Sequence, residues 1–458
     1  MAEFFRFRSV DALLGKHQEL QTQTIYFASP EELDDPMEGL RDIIWIGDEI
    51  VWTNFLKHYV FCMHRSYFLL QTAKKFTTID VDSMPIFERW DQLTIPLEQI
   101  IFDDIWNRFY HLPNVPEIIA ALANTKRKIR NIELASYLRF ITFVLIDEIQ
   151  KSHIDHKLTS EFVGTPFSEK YPVDIALESL CNFIKNNETI ENVRTFDALF
   201  QLSERDIARL SLLVPQSINS RNIDILIKFN IAKVYLEQLE KLLWPKWYTA
   251  CFTKSYHNSS VWANYTDGHQ GVCLIFEAAE NDNLNSLELN EENTKSSRTF
   301  PFHEVHYADR PGEIDFFRTI CRITMSTLKE LWYTGQDGTL SECAAHIKSK
   351  SDEDDWKESY WKNFFRDVTT KIKDWAHEQE YRLVLEDGLS QFNEKGSRKL
   401  TYDFNSLKGI IFGMKTSVED KRKIIEIIND KNRAADFNFF QAFYSSKYGD
   451  IRKYKLGV

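Results

Sequence analysis

The chain has 458 residues, a formal net charge of −12 and 43% hydrophobic residues. This length exceeds one ordinary domain and predicts two or three. The negative charge argues against non-specific binding to nucleic acid or to anionic membranes, but it does not exclude a local basic patch. The six cysteines are scattered and include no C-x-x-C pair, which is typical of reduced thiols and not of a disulfide framework or a zinc site.

Two further features bear on location. The N-terminal residues lack the basic and then apolar pattern of a secretory signal. The most apolar run, residues 140–146, is too short to span a bilayer. We therefore expect a soluble, cytoplasmic protein without a membrane partner.

The first 50 residues contain two predicted strands and an acidic turn. Residues 3–10 form the first predicted strand, which carries Arg6 and Arg8, and residues 25–29 form the second. An acidic segment with proline and glycine follows at 31–39, and this composition is typical of a turn. Two strands are too few to form a core alone.

Residues 51–244 have a different character, because apolar residues recur at helical spacing and strand alternation is scarce. Residues 116–152 predict one long helix or two. Further helices are expected to begin at Ser203 and at Asn222, with Pro245 ending the last. The block predicts a helical bundle.

From residue 247 onward, strand and helix signals alternate. In chain order, the sequence predicts a strand at 247–253, a short helix carrying Trp262 and Tyr265, a strand at 272–276, a polar loop at 278–300, a short strand at 305–307, a helix at 313–333, a charged helix from 351, strands at 380–386 and 408–413, a helix from Ser417 to about 429, and a last strand or tail at 444–454.

The charged helix leads into the stretch 375–385, whose polar residues alternate with apolar ones. In a strand, alternate side chains share a face, so Glu378, Glu380 and Arg382 are expected on one face. Because unpaired buried charge is costly, such a face suits the wall of a cleft. A solvated edge strand with an ion pair fits the same pattern.

These elements predict an α+β fold. In the simplest arrangement, residues 1–50 and 245–458 form one domain with a mixed or antiparallel sheet, and residues 51–244 are an inserted helical bundle. Three consecutive domains remain an alternative. The insertion is preferred because the first 50 residues cannot form a core by themselves.

Several short motifs in order resemble the bacterial family named domain of unknown function 2971. They are Tyr26-Phe-Ala-Ser-Pro30, Asp35-Pro-x-Glu-Gly39, Cys251-Phe252, Trp262-x-x-Tyr265, His269-x-Gly271, Glu378-x-Glu380-x-Arg382 and Gly409-Ile-Ile-x-Gly413. The resemblance covers roughly residues 1–45 and 245–430 and leaves out the helical block. Asp34 stands where the family usually has asparagine.

The order of residue types is also similar to that of ADP-ribosyltransferases. Their pattern is a basic residue on the first strand, a serine, threonine or tyrosine on a middle strand, and an E-x-E pair entering a late strand. Here the matching positions are Arg6 or Arg8, Tyr26 or Ser29, and Glu378 with Glu380. This similarity implies an ADP-ribosyltransferase-like sheet domain with NAD⁺ as substrate and no metal.

The similarity also implies roles for these residues. Glu380 would stabilise the oxocarbenium-like charge that develops on the ribose, and Glu378 would be the general base for the incoming nucleophile. An arginine fork at Arg6 or Arg8 suits the cofactor phosphates.

Three further side chains complete the expected NAD⁺ site. Trp262 and Tyr265 could stack on a ring of the cofactor, although two aromatic residues three positions apart are also typical of a core. Arg382 could contribute to the cofactor site, or pair with Glu380 or Asp35 and orient them.

Two classes of function follow. The first is an ADP-ribosyltransferase or NAD⁺ hydrolase, which the family resemblance places among bacterial toxins or phage-defence effectors. It would act on a macromolecular acceptor, protein or nucleic acid, with the helical insertion as partner surface. The second is a non-catalytic sensor or binding module.

A metal-dependent nuclease is a third possibility, because a group of carboxylates could bind Mg²⁺ or Mn²⁺. The candidate ligands are Asp34, Asp35, Glu38, Glu378 and Glu380. Basic residues cluster only at 125–130 and 452–455, where they predict solvated faces or, at most, contacts with a partner or RNA.

Overall fold

The computed structural model describes residues 2–15, 17–72, 84–124, 128–186, 201, 204–205, 208–209, 212, 220–281, 284–291, 297–347, 349–431 and 436–457. Within these residues the fold is α+β, with mainly antiparallel pairing in its largest sheet. Ser203, the predicted start of a helix, lies outside them, as do residues 125–127 of the first basic cluster.

The chain divides into two compact units. The first comprises Met1–Arg41, Pro245–Gly312 and Lys362–Val458, and the second comprises Asp42–Trp244 and Glu313–Trp361. Residues 42–50 and 313–361 therefore lie in the second unit, whereas the sequence assigned them to the sheet domain. The reason is strand pairing, because residues 42–45 pair with residues 129–130 and 313–315 in a small separate sheet.

The strands, in chain order, are β1 (Ala2–Arg8), β2 (Thr24–Tyr26), β3 (Asp42–Trp45), β4 (Ile129–Arg130), β5 (Lys246–Thr253), β6 (Val272–Asn281), β7 (Leu284–Glu291), β8 (Ser297–Pro301), β9 (His303–Glu304), β10 (His306–Ala308), β11 (Glu313–Asp315), β12 (Thr370–Ile372), β13 (Glu380–Asp387), β14 (Lys399–Tyr402), β15 (Leu407–Phe412), β16 (Asn438–Ser445) and β17 (Asp450–Leu456).

The first unit is built on a 12-stranded sheet with the central order β17-β16-β15-β6-β1-β5-β13-β9. Strands β7, β8, β14 and β2 join it off this path, and β10 pairs with β12 separately. The N-terminal strand β1 is therefore central to the sheet. This position explains why its residues 4–7 are buried although the strand begins the chain.

The two neighbours of β1 pair with it very differently. Strand β6 pairs with β1 along its whole length, from Ala2 to Arg8. Strand β5 pairs with it only at Phe5 and Thr253, while β5 itself pairs with β13 along the whole of β13. Beyond Phe5, therefore, β1 and β5 diverge.

Alternation along β1 supplies a core to each face of the sheet. Phe4 belongs to a large cluster with Phe252, Phe276 and Ile424, whereas Phe5 and Phe7 belong to a smaller cluster with Trp262. The larger cluster is covered by the helix Val418–Asp430, which Ser417 caps by accepting a hydrogen bond from the backbone of Asp420.

The remaining helical elements of the first unit are short. The α-helices are Val10–Leu14, Glu19–Thr22, Ser259–Tyr265 and the end of Lys350–Val368; the 3₁₀ turns are Pro30–Glu32, Lys373–Glu378, Lys395–Arg398 and Phe404–Ser406.

One prediction for this unit was wrong, and another was correct only in part. Of residues 278–300, predicted as a polar loop, the described residues 278–281, 284–291 and 297–300 lie in the antiparallel strands β6, β7 and β8. Their polar residues alternate with buried ones such as Leu287 and Leu289. The predicted last strand or tail at 444–454 is confirmed as a strand for residues 450–454, which lie in β17, whereas residues 444–445 end β16, the other strand of the same hairpin.

The second unit is largely helical and also holds the sheet of β3, β4 and β11. Its α-helices are Glu49–Thr72, Pro96–Tyr110, Val115–Asn124, Asn131–Asp155, Phe167–Lys170, Val173–Asn186, Ser220–Leu239, Phe316–Thr319, Met325–Leu328 and the start of Lys350–Val368, with 3₁₀ turns at Glu240–Leu242 and Glu342–Ile347 and a π turn at Lys329–Tyr333. Among the described residues, no helix has the length and hydrophobicity needed to cross a membrane.

Residues 313–333, predicted as one helix, are broken into β11, two short helices and the π turn. Burial explains the break. Phe316 and Phe317 are neighbours in sequence and both pack against Trp45, so this segment cannot present one buried and one exposed face as a regular surface helix does. The described residues of the predicted segment 116–152 include two helices, Val115–Asn124 and Asn131–Asp155.

Candidate active site

A cleft of about 260 Å³ lies in the first unit where β1 and β5 diverge. Its wall on β1 includes Arg6 and Arg8, and its wall on β5 includes Thr249 and Cys251. Phe7 of β1 and Ala250 of β5 complete these two walls. The other lining residues come from β2 and the segment after it, from the helix Ser259–Tyr265, and from β12 and β13; they are Tyr26, Ala28, Glu32, Leu33, Asp34, Glu38, Tyr265, Lys371, Glu380 and Arg382. Opening of the sheet thus exposes charged side chains from several strands in one concavity.

Arg382 is fully buried at one side of this cleft, and all five of its N–H groups have acceptors. Its Nη atoms donate to both oxygens of Glu38, at 2.6 and 3.0 Å, and Nη1 also donates to the carbonyl of Val368. Nε and Nη2 donate to the two oxygens of Glu380, at 2.8 and 3.2 Å. These bonds hold the guanidinium rigidly between two carboxylates.

Glu380 receives a second cation from Lys371, whose Nζ lies 3.2 Å from Oε2. Burial by itself would raise the pKa of Glu380, but the charges of Arg382 and Lys371 outweigh it and lower that pKa to about 2. Burial disfavours the charged form of Lys371 too, yet Glu380 and Glu378 raise the pKa of Lys371 above its ordinary value. Both groups are therefore ionised at neutral pH.

Glu378 reaches the network from a different element. It ends the 3₁₀ turn Lys373–Glu378, and Gln379 takes a left-handed conformation, with φ of 49°, before β13 begins. The prediction that Glu378 shares a strand face with Glu380 was therefore wrong. The turn nevertheless directs its carboxylate to Lys371, at 2.7 Å, and to the hydroxyl of Tyr265, at 2.7 Å.

Burial followed by the charge of Glu378 raises the pKa of Tyr265 far above its ordinary value, so this phenol remains a donor. Glu378 and Tyr265 also line a smaller cavity beside the cleft, together with Phe5, Cys251 and Glu380. Burial, together with the negative charge of Glu380, raises the pKa of Cys251. The thiol is therefore a neutral component of the site.

Arg6 is buried on the opposite wall and is far less well paired. Nη2 makes one hydrogen bond of 3.3 Å, to the carbonyl of Tyr26, and Nη1 has no protein partner. Its guanidinium lies over the ring of Phe252. Burial, followed by the nearby charge of Arg8, lowers the pKa of Arg6 to about 10, so it still carries its charge at neutral pH with a donor unused.

The other predicted cofactor residues have protein partners. Arg8 forms an ion pair with Glu19, and the hydroxyl of Tyr26 donates to Glu32 at 2.8 Å. Ser29 caps the turn Pro30–Glu32 and contacts Glu32. Ser29 is not among the residues that line the cleft.

Trp262, predicted to stack on a cofactor ring, is fully buried in the core. Its ring meets Phe7 edge to face, and Nε1 donates to the carbonyl of Tyr256. It has no exposed surface for stacking, because the short helix that carries it presents Val261 and Trp262 inward. Tyr265, three residues later, reaches the cleft instead.

Sequence analysis missed Lys371 and the position of Glu38. Lys371 lies on the three-residue strand β12, which gave no periodic signal, and Glu38 was considered only as a metal ligand. With Glu378, Glu380 and Arg382 they form a buried network of three carboxylates and two cations. We call these five residues the ion network.

The carboxylates of the nuclease hypothesis are not arranged for a metal ion. In the described part of the chain, no group of three or more metal-ligating side chains is suitably placed. Asp35 instead accepts a hydrogen bond from the backbone of Met37. The other three carboxylates, Glu38, Glu378 and Glu380, already form ion pairs with protein cations. Those cations, Lys371 and Arg382, would repel a metal ion placed between the carboxylates.

One family is similar to part of this chain. A family model described as "Protein of unknown function (DUF2971)" matches residues 261–383, which include Tyr265, Lys371, Glu378, Glu380 and Arg382. This match supports the resemblance found in the sequence motifs. No curated protein and no solved structure matches the chain.

Proposed function

We propose that the chain is an ADP-ribosyltransferase-like enzyme that cleaves NAD⁺ and transfers ADP-ribose to a macromolecular acceptor. One observation carries the proposal. The cleft between β1 and β5 is lined both by a buried arginine with an unused donor, Arg6, and by a carboxylate that remains ionised, Glu380. Arg6 suits the diphosphate of NAD⁺, and Glu380 suits the positive charge that develops on the ribose.

Arg6 would bind the diphosphate of NAD⁺. A buried, unpaired guanidinium nitrogen is costly in the free protein, and a phosphate oxygen would give it the charge-assisted partner that it lacks. Arg8 lines the same wall, but its pairing with Glu19 leaves it less available. Arg6 is therefore the principal phosphate-binding residue in this proposal.

Glu380 would act on the ribose. As the bond between C1′ and nicotinamide breaks, its electron pair leaves with nicotinamide and positive charge develops on the ribose. A fixed carboxylate stabilises that charge without having to move. A carboxyl group with a pKa of about 2 is a weak base, so its contribution would be electrostatic, and proton removal falls to another group.

Glu378 would be that group. Its two oxygens each accept one hydrogen bond, from Tyr265 and from Lys371, and each keeps a second lone pair for the proton of the attacking nucleophile. The nucleophile then forms the new bond to C1′. Tyr265 and Lys371 would position Glu378 and Glu380 and need not react.

The test is nicotinamide release and transfer of label from NAD⁺ labelled in its ADP-ribose part, in the presence of cell extract. Glu380→Gln should lower the rate of nicotinamide release about a hundredfold to a thousandfold, as loss of one electrostatic stabiliser does. Arg6→Ala should chiefly raise the NAD⁺ concentration required. Glu378→Gln should reduce label transfer more than hydrolysis.

The same strand offers a matched control. Glu386 lies on the same face of β13 but pairs with Arg298 outside the cleft, so Glu386→Gln should retain full activity. Thermal melts of each variant separate loss of chemistry from loss of folding. Full activity in Glu380→Gln, or the absence of nicotinamide release by the parent with extract present, would refute the enzyme.

A non-catalytic module that binds an anionic nucleotide is the second candidate. It is favoured by the fact that Arg382 and Lys371 already occupy both oxygens of Glu380. Calorimetry with NAD⁺ distinguishes the two functions. Binding that depends on Arg6 but is accompanied by no nicotinamide release supports the module.

A further inference from the structure

The hairpin of β16 and β17 carries an unusual combination of side chains at the edge of the large sheet. Strand β17 ends the central strand order, and the segment from Lys447 to Lys455 contains four cations and one carboxylate, Asp450. The chain as a whole has a net charge of −12. The hairpin is thus a basic feature on an acidic protein.

Its exposed aromatic residues share a face with a cation. Phe443 pairs with Arg452, and the neighbouring pair on that face ends in Tyr454. The rings of Phe443 and Tyr454 are 5.9 Å apart. Arg452 on β17 pairs through Nε with Asp450 at 2.8 Å, and its guanidinium lies 4.4 Å from the ring centre of Tyr448 in the connecting turn. We call Phe443, Tyr448, Arg452 and Tyr454 the hairpin surface.

The rings of this surface are open to solvent. Tyr448 is 60% exposed, Tyr454 52% and Phe443 39%. The folded core does not require such exposure, because Phe439 and Ile451 anchor the hairpin from buried positions. Exposed, adjacent aromatic rings beside cations are what binding of single-stranded nucleic acid uses, since bases stack on the rings while phosphates meet the positive charge.

We infer that the hairpin surface binds single-stranded RNA. Charge complementarity favours a polyanion over a neutral or basic protein, and spaced rings favour unpaired bases over a duplex, whose bases are already stacked. RNA is favoured over DNA because the exposed hydroxyls of Tyr448 and Tyr454 are donors and acceptors for a ribose 2′-hydroxyl. This inference does not require that the chain cleave NAD⁺.

The test uses the full chain and a fluorescently labelled oligouridine, with binding followed by anisotropy in the absence of NAD⁺. Tyr448→Ala and Tyr454→Ala should each weaken binding about tenfold, because each removes one stacking platform. Arg452→Ala should reduce the slope of log affinity against log salt by about one phosphate contact. Tyr454→Phe should keep most of the affinity and lose part of the preference for RNA.

A matched control lies in the second unit, where Tyr171 is 57% exposed and follows Lys170. The double variant Lys170→Ala/Tyr171→Ala should bind oligouridine as the parent does. Deoxyuridine oligomers, duplex RNA and an acidic peptide serve as competitors, and light scattering reports pairing between two copies through β17.

Three results would overturn the inference. They are equal binding of RNA and DNA, preference for the acidic peptide, and affinity that survives Tyr448→Ala/Tyr454→Ala in a folded variant. Association of two copies that the same double variant abolishes would assign the surface to self-assembly instead. Tight RNA binding without any nicotinamide release would support the hairpin surface while leaving the proposed enzyme unsupported.

Discussion

The two walls of the cleft bury an arginine each, and the two arginines differ in almost every respect except burial. Arg382, beside β5 on β13, donates five hydrogen bonds and sits between two carboxylates. Arg6, on β1, has one long hydrogen bond, a neighbouring cation and a nitrogen without a protein partner.

The difference separates structure from function. Removing a charged group from water costs several kcal/mol, and only close, well-oriented partners offset that cost. Arg382 has those partners, so its charge stabilises the local fold. Arg6 lacks them, so its burial weakens the free protein and favours a bound anion. Of these two arginines, Arg382 is therefore expected to matter for stability and Arg6 for ligand binding.

The largest effect is expected when Arg382 is removed. Arg382→Met should destabilise the protein by about 3 to 5 kcal/mol, because it leaves Glu38 and Glu380 buried without their counter-ion. Chemical denaturation followed by tryptophan fluorescence measures this. Arg298→Met is the control, since Arg298 is a half-exposed partner of Glu386 and should cost less than about 1 kcal/mol. Equal losses of stability in Arg382→Met and Arg298→Met would contradict the stabilising role assigned to Arg382.

Acid should weaken the same wall within a defined pH window. The pKa of Glu380 is lowered from 4.5 to about 2, so its stabilisation is fully present above pH 4.5 and is lost as the pH falls toward 2. The shift corresponds to about 3 kcal/mol at most. Denaturation curves across this range should fall less steeply in Glu380→Gln than in the parent, and identical pH profiles would contradict the assignment.

Strand alternation predicted part of this site correctly. Glu380 and Arg382 share a face of β13, and their alternation with Leu383 and Leu385 was visible in the sequence. Two arginines on β1 gave a similar signal for the other wall. Periodicity reports which side chains share a face, but it cannot report which strands of a sheet separate. The cleft itself therefore required the structure.

The missed residues share one physical cause. Lys371 lies on a strand too short to show a period, and it reaches the network only because a 3₁₀ turn brings the chain back to β13. Strand β7, residues 284–291, was missed because one of its faces is exposed and polar, which made the segment resemble a loop. Tertiary packing, and not local sequence, also decided that Trp262 is core while Tyr265 faces the cleft.

The smallest effect on stability, and the sharpest test of the comparison, concerns Arg6. Arg6→Met should change the free energy of unfolding by less than about 1 kcal/mol or stabilise the protein, because methionine fills the site without a buried, poorly paired charge. Added ADP should then distinguish the parent from Arg6→Met. ADP at a hundred times its dissociation constant should stabilise the parent by about 2.7 kcal/mol, and the variant much less at the same concentration. Thermal melts with and without ADP measure both effects, with Arg298→Met as the control that keeps the response to ADP. If Arg6→Met loses as much stability as Arg382→Met, or responds to ADP as the parent does, then Arg6 is a structural residue and the two walls do not differ in the way their hydrogen bonds indicate.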